Sequence, residues 1–289
     1  GSGVAALSQG SALVPLMNNI AYDLVLPGNW EVAYKKEMMI KDLVGYHAAK
    51  ICANMFHETP DGQKGDPIFK PYWTRTVAGI KIGFLGYTDH NIPKRQPPAF
   101  SKGIHFTKPV DDVANYIRIL KEEEGCAMVF LVTHFGLAQQ VHLANNPLVQ
   151  GADFILGADT HERVRTPIQG KYSKVTEPGA FGSFVARLDM VIGRALVAQG
   201  RAAEALPVLD DALRLRQRQL DPEQSPLIAD AHLARAEALW AAKDAPAARE
   251  ALAEAERILG RHAVLGPQFL EPARRLRALV GGARVTPAQ

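Results

Sequence analysis

Through the first two thirds of the chain, short apolar runs alternate with polar stretches, and three of the runs stop at a compact polar cluster. Asp23-Leu24-Val25-Leu26 leads into Pro27-Gly28-Asn29-Trp30-Glu31. Met128-Val129-Phe130-Leu131-Val132 leads into Thr133-His134-Phe135-Gly136, and Phe154-Ile155-Leu156 into Gly157-Ala158-Asp159-Thr160-His161-Glu162. Each apolar run reads as a buried strand, so each puts its polar residues at a strand's carboxyl end. That is where open α/β sheets bind ligands. Residues 79–86 read as a further strand. Residues 111–121, entered after Pro109 with Val113, Ile117 and Leu120 at helical spacing, predict a surface helix feeding the Met128 strand. Residues 181–192 alternate apolar and polar positions, which predicts a closing strand. Strands interleaved with helices make this an α/β pattern.

Near residue 192 the pattern changes to helical repeats. Moving residues 195–215 onto 238–258 brings Ala195, Ala202, Ala205, Leu209, Ala212 and Leu215 onto Ala238, Ala245, Ala248, Leu252, Ala255 and Ile258. Small residues at these positions let paired helices approach closely, with the leucines supplying an apolar stripe. Gly200 falls in the turn where the second copy has Lys243-Asp244, and residues 267–280 read as a capping helix. Basic-residue usage divides the chain at the same place, with 13 Lys and 6 Arg before Gly193 and 1 Lys and 13 Arg from Arg194 onward. The expected organisation is an α/β domain over residues 1–192 and an all-α helical-repeat segment over 193–289, two pieces of different history.

Composition narrows the functional classes. The net charge is +3 over 289 residues, and the basic residues are spread along the chain, so there is no case for nucleic acid. Cys52 and Cys126 lack the spacing of zinc or redox motifs and are expected as buried free thiols. No apolar run approaches the roughly 20 residues needed to cross a bilayer. The opening Gly1-Ser2-Gly3 has neither an initiator methionine nor a charged leader region, so it leaves the compartment open.

Asn, His and Asp side chains at strand ends are ligands suited to Mn, Zn, Fe or a similar divalent ion. A pair of such ions can clamp a phosphoryl group and activate water. The three clusters, in this order and followed by Glu177-Pro178-Gly179-Ala180-Phe181-Gly182, resemble calcineurin-like metallophosphoesterases of the 5'-nucleotidase branch. Their relative, the thiosulfohydrolase of bacterial sulfur oxidation, is included in that likeness. The family's Gly-Asn-His-Glu stands here as Gly28-Asn29-Trp30-Glu31, and its Gly-His-x-His as Ala158-Asp159-Thr160-His161. The resemblance, together with the helical segment's likeness to tetratricopeptide helix pairs, implies a layered α/β/β/α sandwich with an appended repeat array. It also implies hydrolysis of a small anionic phosphoester or sulfur ester at a dinuclear centre, and export from a bacterial cytoplasm.

Carried over residue by residue, the resemblance makes Asn29 and His134 ligands and catalytic groups, Asp159 a ligand in place of a His, and His161 a ligand of the other metal. Trp30 replaces a proton-transferring His. Its indole N–H can donate a hydrogen bond but cannot shuttle a proton, and the same Asn-Trp-Glu belongs to the thiosulfohydrolase branch. Trp30 and Arg163 are candidate substrate contacts; Arg163 and Arg165 suit an anionic group. The family's first metal-binding strand and its Gly-Asp precede Gly1 in the expected alignment, so the expectation is at most one weakly bound metal and poor turnover. Residue-level alternatives stand beside these roles: Asn29 as the left-handed residue of a turn, Asp159 as a cap, His134 and His161 as structural histidines. The alternative for the whole chain is a non-catalytic scaffold whose helical repeats hold a protein partner.

Overall fold

The computed structural model describes residues 3–77, 79–164, 166–179 and 189–281, which divide into two compact units, residues 1–186 and 187–289. In the first unit the strands are β1 (Leu24–Val25), β2 (Ala49–Lys50), β3 (Met55–Glu58), β4 (Lys64–Pro67), β5 (Tyr72–Val77), β6 (Ile80–Thr88), β7 (Ile104–Phe106), β8 (Met128–His134), β9 (Phe154–Leu156), β10 (Ile168–Gln169) and β11 (Lys174–Thr176). Six of them form one sheet in the order β10-β11-β9-β8-β6-β5, with β6, β8, β9 and β11 parallel. The apolar runs at 128–132 and 154–156 thus lie side by side, Val132 opposite Leu156. The helix expected over 111–121 is present as Val113–Arg118, continued by a π-helical turn over Ile119–Glu123.

The first motif strand lies outside the six-stranded sheet: β1 pairs with β2 in a separate two-stranded sheet. Just past β2, the amide of Ala53 donates to the carbonyl of Gly86 on β6, which ties this pair to the carboxyl half of the main sheet. A third sheet, β4-β3-β7, joins the same place through buried Asn54. Its side chain accepts from the amide of Thr88 and donates to the carbonyls of Thr88 and Thr107. All three sheets therefore meet where β6 ends.

Two apolar cores hold the unit. One surrounds the middle of the main sheet with Leu85, Tyr87, Val129, Leu131 and Ile155, covered by Val113, Ile117 and Leu120. The other gathers Val32, Met39, Leu43, Met55, Ile92 and Ile104. It matters for the site because it anchors two short helices, α1 (Asn29–Ala33) through Val32 and α2 (Ile92–Arg95) through Ile92, both fully buried. Burying an aliphatic side chain of that size contributes about 1.5–3 kcal/mol. A helix as short as either would not hold its position in water without such packing. A third helix, α3 (Leu137–Ala144), follows β8 and places Gln140 and Leu143 in the interior.

The second unit is helical: α4 (Asp189–Ala198), α5 (Ala202–Gln219), α6 (Pro226–Ala241), α7 (Ala245–Leu259) and α8 (Pro267–Gly281). The expectation of a closing strand is corrected here. Residues 189–192 begin α4, whose buried Met190, Gly193 and Leu196 recur at helical spacing and not at alternate positions; residues 181–188 lie outside the described residues. Gly193 lies against the side chain of Leu209, where no Cβ would fit. The turns after α4 and α6 carry Gly200 at φ +76° and Lys243 at φ +65°, the same left-handed position one repeat apart. Asp230 accepts from Arg194 and Arg216, an ion-paired link among α4, α5 and α6. Both cysteines are free and buried. Among the described residues no helix is long and apolar enough to cross a membrane.

Candidate metal and anion site

Asn29 is the first residue of α1, entered from Gly28 at φ −112°, so it is helical and not the left-handed residue of a turn. The amide of Gly28 donates to Glu31 Oε2 at 2.8 Å. Glu31 thus caps its own helix and fixes the angle at which Asn29 leaves it. His134 ends β8 directly opposite Thr88 of β6. Its Nε2 is 3.1 Å from Asn29 Oδ1 and 3.5 Å from Asp159 Oδ1. The side chains of Asn29, at the start of α1, and Asp159, after β9, thus both face one imidazole nitrogen at the end of β8.

Asp159 lies in the loop after β9 at φ +93°, and His161 follows at φ +69°. Left-handed non-glycine residues are uncommon and concentrate at functional loops. A buried brace holds the loop against the end of β8. Gln140 Nε2 donates to the carbonyls of Phe135 at 2.5 Å and Ala158 at 3.2 Å and to Glu177 Oε2 at 3.1 Å. Glu177 Oε1 accepts the amide of Glu162 at 3.2 Å. Thr160 Oγ1 accepts the amide of Leu137 at 3.0 Å. Gly157 leaves the space that Gln140 fills.

A fourth strand end completes the cluster. Asp89 follows β6, is fully buried and accepts from Arg95 Nη1 at 2.6 Å. The same guanidinium reaches Asp159, with Nη1 2.7 Å from Oδ2 and Nη2 3.3 Å from Oδ1. From the next residue, Gln96 Nε2 donates to the carbonyl of Asn29 at 2.8 Å. The segment after β6 thus touches both the Asn29 helix and the Asp159 loop. Composition and motif spacing did not single out Asp89, Arg95 or Gln140, and they gave Glu177 a place in a motif without a role. The first two carry the signature of the other three clusters, an apolar strand ending in polar residues, and that was the signal available.

Burial lowers the pKa of His134, and Asp159 and Glu31 only partly offset it. The imidazole is therefore neutral at neutral pH, the form that ligates metal. The two carboxylates and one guanidinium leave the cluster with one excess negative charge. By donor chemistry, Asn29 Oδ1, His134 Nε2 and the Asp159 carboxylate fit one oxygen- and nitrogen-preferring divalent ion, with Arg95 competing for Asp159. Among the described residues no three His, Cys, Asp or Glu side chains stand close enough together to hold a metal. His161 is exposed and does not join His134 and Asp159 in such a group. Trp30, half exposed, stands beside Asn29 on the first turn of α1. Arg163 is exposed and bridges to Pro178 through its backbone; Arg165 lies outside the described residues.

The tetratricopeptide repeat family model matches residues 184–260. Over 132 residues the chain is 30% identical to a 5'-nucleotidase of Vibrio cholerae, covering 45% of this chain and 23% of that protein. Among solved structures it superposes on the sulfate thiohydrolase SoxB of Thermus thermophilus with a TM-score of 0.56 at 21% identity, covering 62% of this chain and 32% of that one. It also superposes on the calcineurin-like phosphoesterase YfkN of Bacillus subtilis with a TM-score of 0.50 at 17% identity, covering 62% and 64%. The first unit is thus a calcineurin-like phosphoesterase segment in fold, and the second a tetratricopeptide-repeat segment. The chain spans about a quarter of the length of the 5'-nucleotidase it matches, 23% of that protein.

Proposed function

We propose that the first unit is a metal-dependent phosphoester hydrolase of the 5'-nucleotidase type, acting on a small anionic ester. The observation that carries this reading is the convergence of Asn29 Oδ1 and Asp159 Oδ1 on His134 Nε2, within 3.1 and 3.5 Å. Likeness to proteins named 5'-nucleotidase and to phosphoesterase-fold structures supports it. Asn29, His134 and Asp159 would hold one divalent ion of the Mn, Zn or Fe kind. When bound, such an ion supplies Lewis-acid polarisation of an ester oxygen and of water.

The chain's own groups do the rest. Neutral His134 offers its Nε2 lone pair, and Asn29 fixes the register of the ester oxygens through its amide. Exposed Trp30 offers an indole N–H to the bound ester and no proton, so leaving-group protonation falls to solvent and turnover is slow. Manganese-dependent phosphate release from AMP, run beside His134→Ala, tests the reading. Release that needs metal and disappears in the variant supports it, and equal release from both sinks it. For the second unit we propose a protein-binding role, supported by the tetratricopeptide match.

A further inference from the structure

Resting on that metal-site reading, we propose that Arg95 is an exchangeable internal cation. It holds Asp159 while no metal is bound, gives that carboxylate up to an incoming divalent ion, and is then free to meet the oxyanion of the substrate.

The two carboxylates that share Arg95 are not equivalent. Asp89 is fully buried directly after β6. It also accepts the amide of Asn91 at 2.9 Å, so it is fixed in place. Asp159, nearly as buried, is a left-handed loop residue whose Oδ2 accepts from Arg95 Nη1 and whose Oδ1 faces both His134 Nε2 and Arg95 Nη2. A divalent ion entering beside Asn29 Oδ1 and His134 Nε2 would draw on the same carboxylate that the guanidinium now neutralises. Two cations competing for one anion in a partly buried site repel each other far more than they would in water.

Anchorage and reach then decide where Arg95 goes. It sits at the carboxyl end of α2, which Ile92 pins in the core, and its side chain is still 41% exposed. Released from Asp159, the guanidinium keeps Asp89 through Nη1 and turns its remaining donors outward beside the ion. A planar fork of donors matches a phosphate or sulfate group. In the metal-free cluster both terminal nitrogens of that fork face carboxylates, Nη1 between Asp89 and Asp159 and Nη2 on Asp159. Anion binding is therefore expected to require the metal first.

The test uses Mn2+ and inorganic phosphate, with affinities measured by titration calorimetry on the full chain. Arg95→Met is expected to bind Mn2+ at least about tenfold more tightly than the unaltered protein, because the competing charge is gone. The Mn2+-loaded unaltered protein is expected to bind phosphate at least about tenfold more tightly than the loaded variant, and the metal-free protein hardly at all. Equal or weaker Mn2+ binding by Arg95→Met overturns the exchange, as does phosphate binding that ignores the metal. Should Arg95→Met not fold, Arg95→Gln carries the same comparison. Its neutral amide removes the charge that competes with the ion, so tighter Mn2+ binding is again expected, and unchanged affinity overturns the proposal. His134→Ala separates the two layers, since undiminished Mn2+ binding in that variant removes the metal site itself.

Discussion

The imidazole of His134 lies flat against Gly28, so close that a Cβ on that glycine would stand 2.7 Å from both Cε1 and Nε2. Real Cβ atoms do not approach so near, and Gly28 is at an ordinary φ of −112°, so the glycine is required by the approach of the ring and not by its own backbone. In Gly28→Ala the ring must tilt away from Asn29 Oδ1. We expect a folded protein that has lost Mn2+ affinity by about tenfold or more, with a stability cost of roughly 1–3 kcal/mol from overpacking. Calorimetric titration beside denaturant unfolding separates the two effects, and unchanged metal affinity would show that the ring position does not matter.

Glu177 is buried beside Gln140, and burial raises its carboxyl above the ordinary range despite the hydrogen bond from Gln140. A carboxyl whose folded pKa is raised contributes stability below its unfolded pKa and loses it as pH rises through the folded value. Glu177→Gln removes that titration and retains an acceptor for the amide of Glu162. The variant should therefore gain on the unaltered protein as pH rises from about 4.5 toward neutrality. Urea midpoints of the two proteins measured across that window report the difference. A constant gap would mean that the carboxyl is not titrating differently on folding.

In the helical unit, Lys243 occupies at φ +65° the position that Gly200 occupies at φ +76° one repeat earlier. The left-handed conformation costs an ordinary residue about 1–2 kcal/mol, and glycine gives part of that back as lost chain entropy. Lys243→Gly should stabilise the unit by about 0.5–1 kcal/mol, and Gly200→Lys should destabilise it by a similar amount. Unfolding followed by far-ultraviolet circular dichroism gives both signs, and stabilisation by Gly200→Lys would contradict the assignment.

Much of this arrangement was legible in the sequence because it follows from local rules. Strands β8 and β9 end in the polar clusters that the apolar runs at 128–132 and 154–156 announced. The helical register from Ala195 to Ile258 was visible as repeated small residues. The errors have physical causes. The expectation of a closing strand covers 181–192 as one alternating stretch, while from residue 189 the buried positions follow the longer helical period of Met190, Gly193 and Leu196. Arg95 was missed because its role rests on two carboxylates, at 89 and 159, that share no local spacing with it. Those contacts exist only once the ends of β6 and β9 are brought together.

The most direct test of the site is equilibrium dialysis against Mn2+ followed by metal analysis, for the chain and for its His134→Ala variant. One ion per chain, weakly held and absent from the variant, is the expected result. Two tightly held ions per chain, or binding that the variant leaves unchanged, would contradict the assignment of Asn29, His134 and Asp159 as a single-ion site.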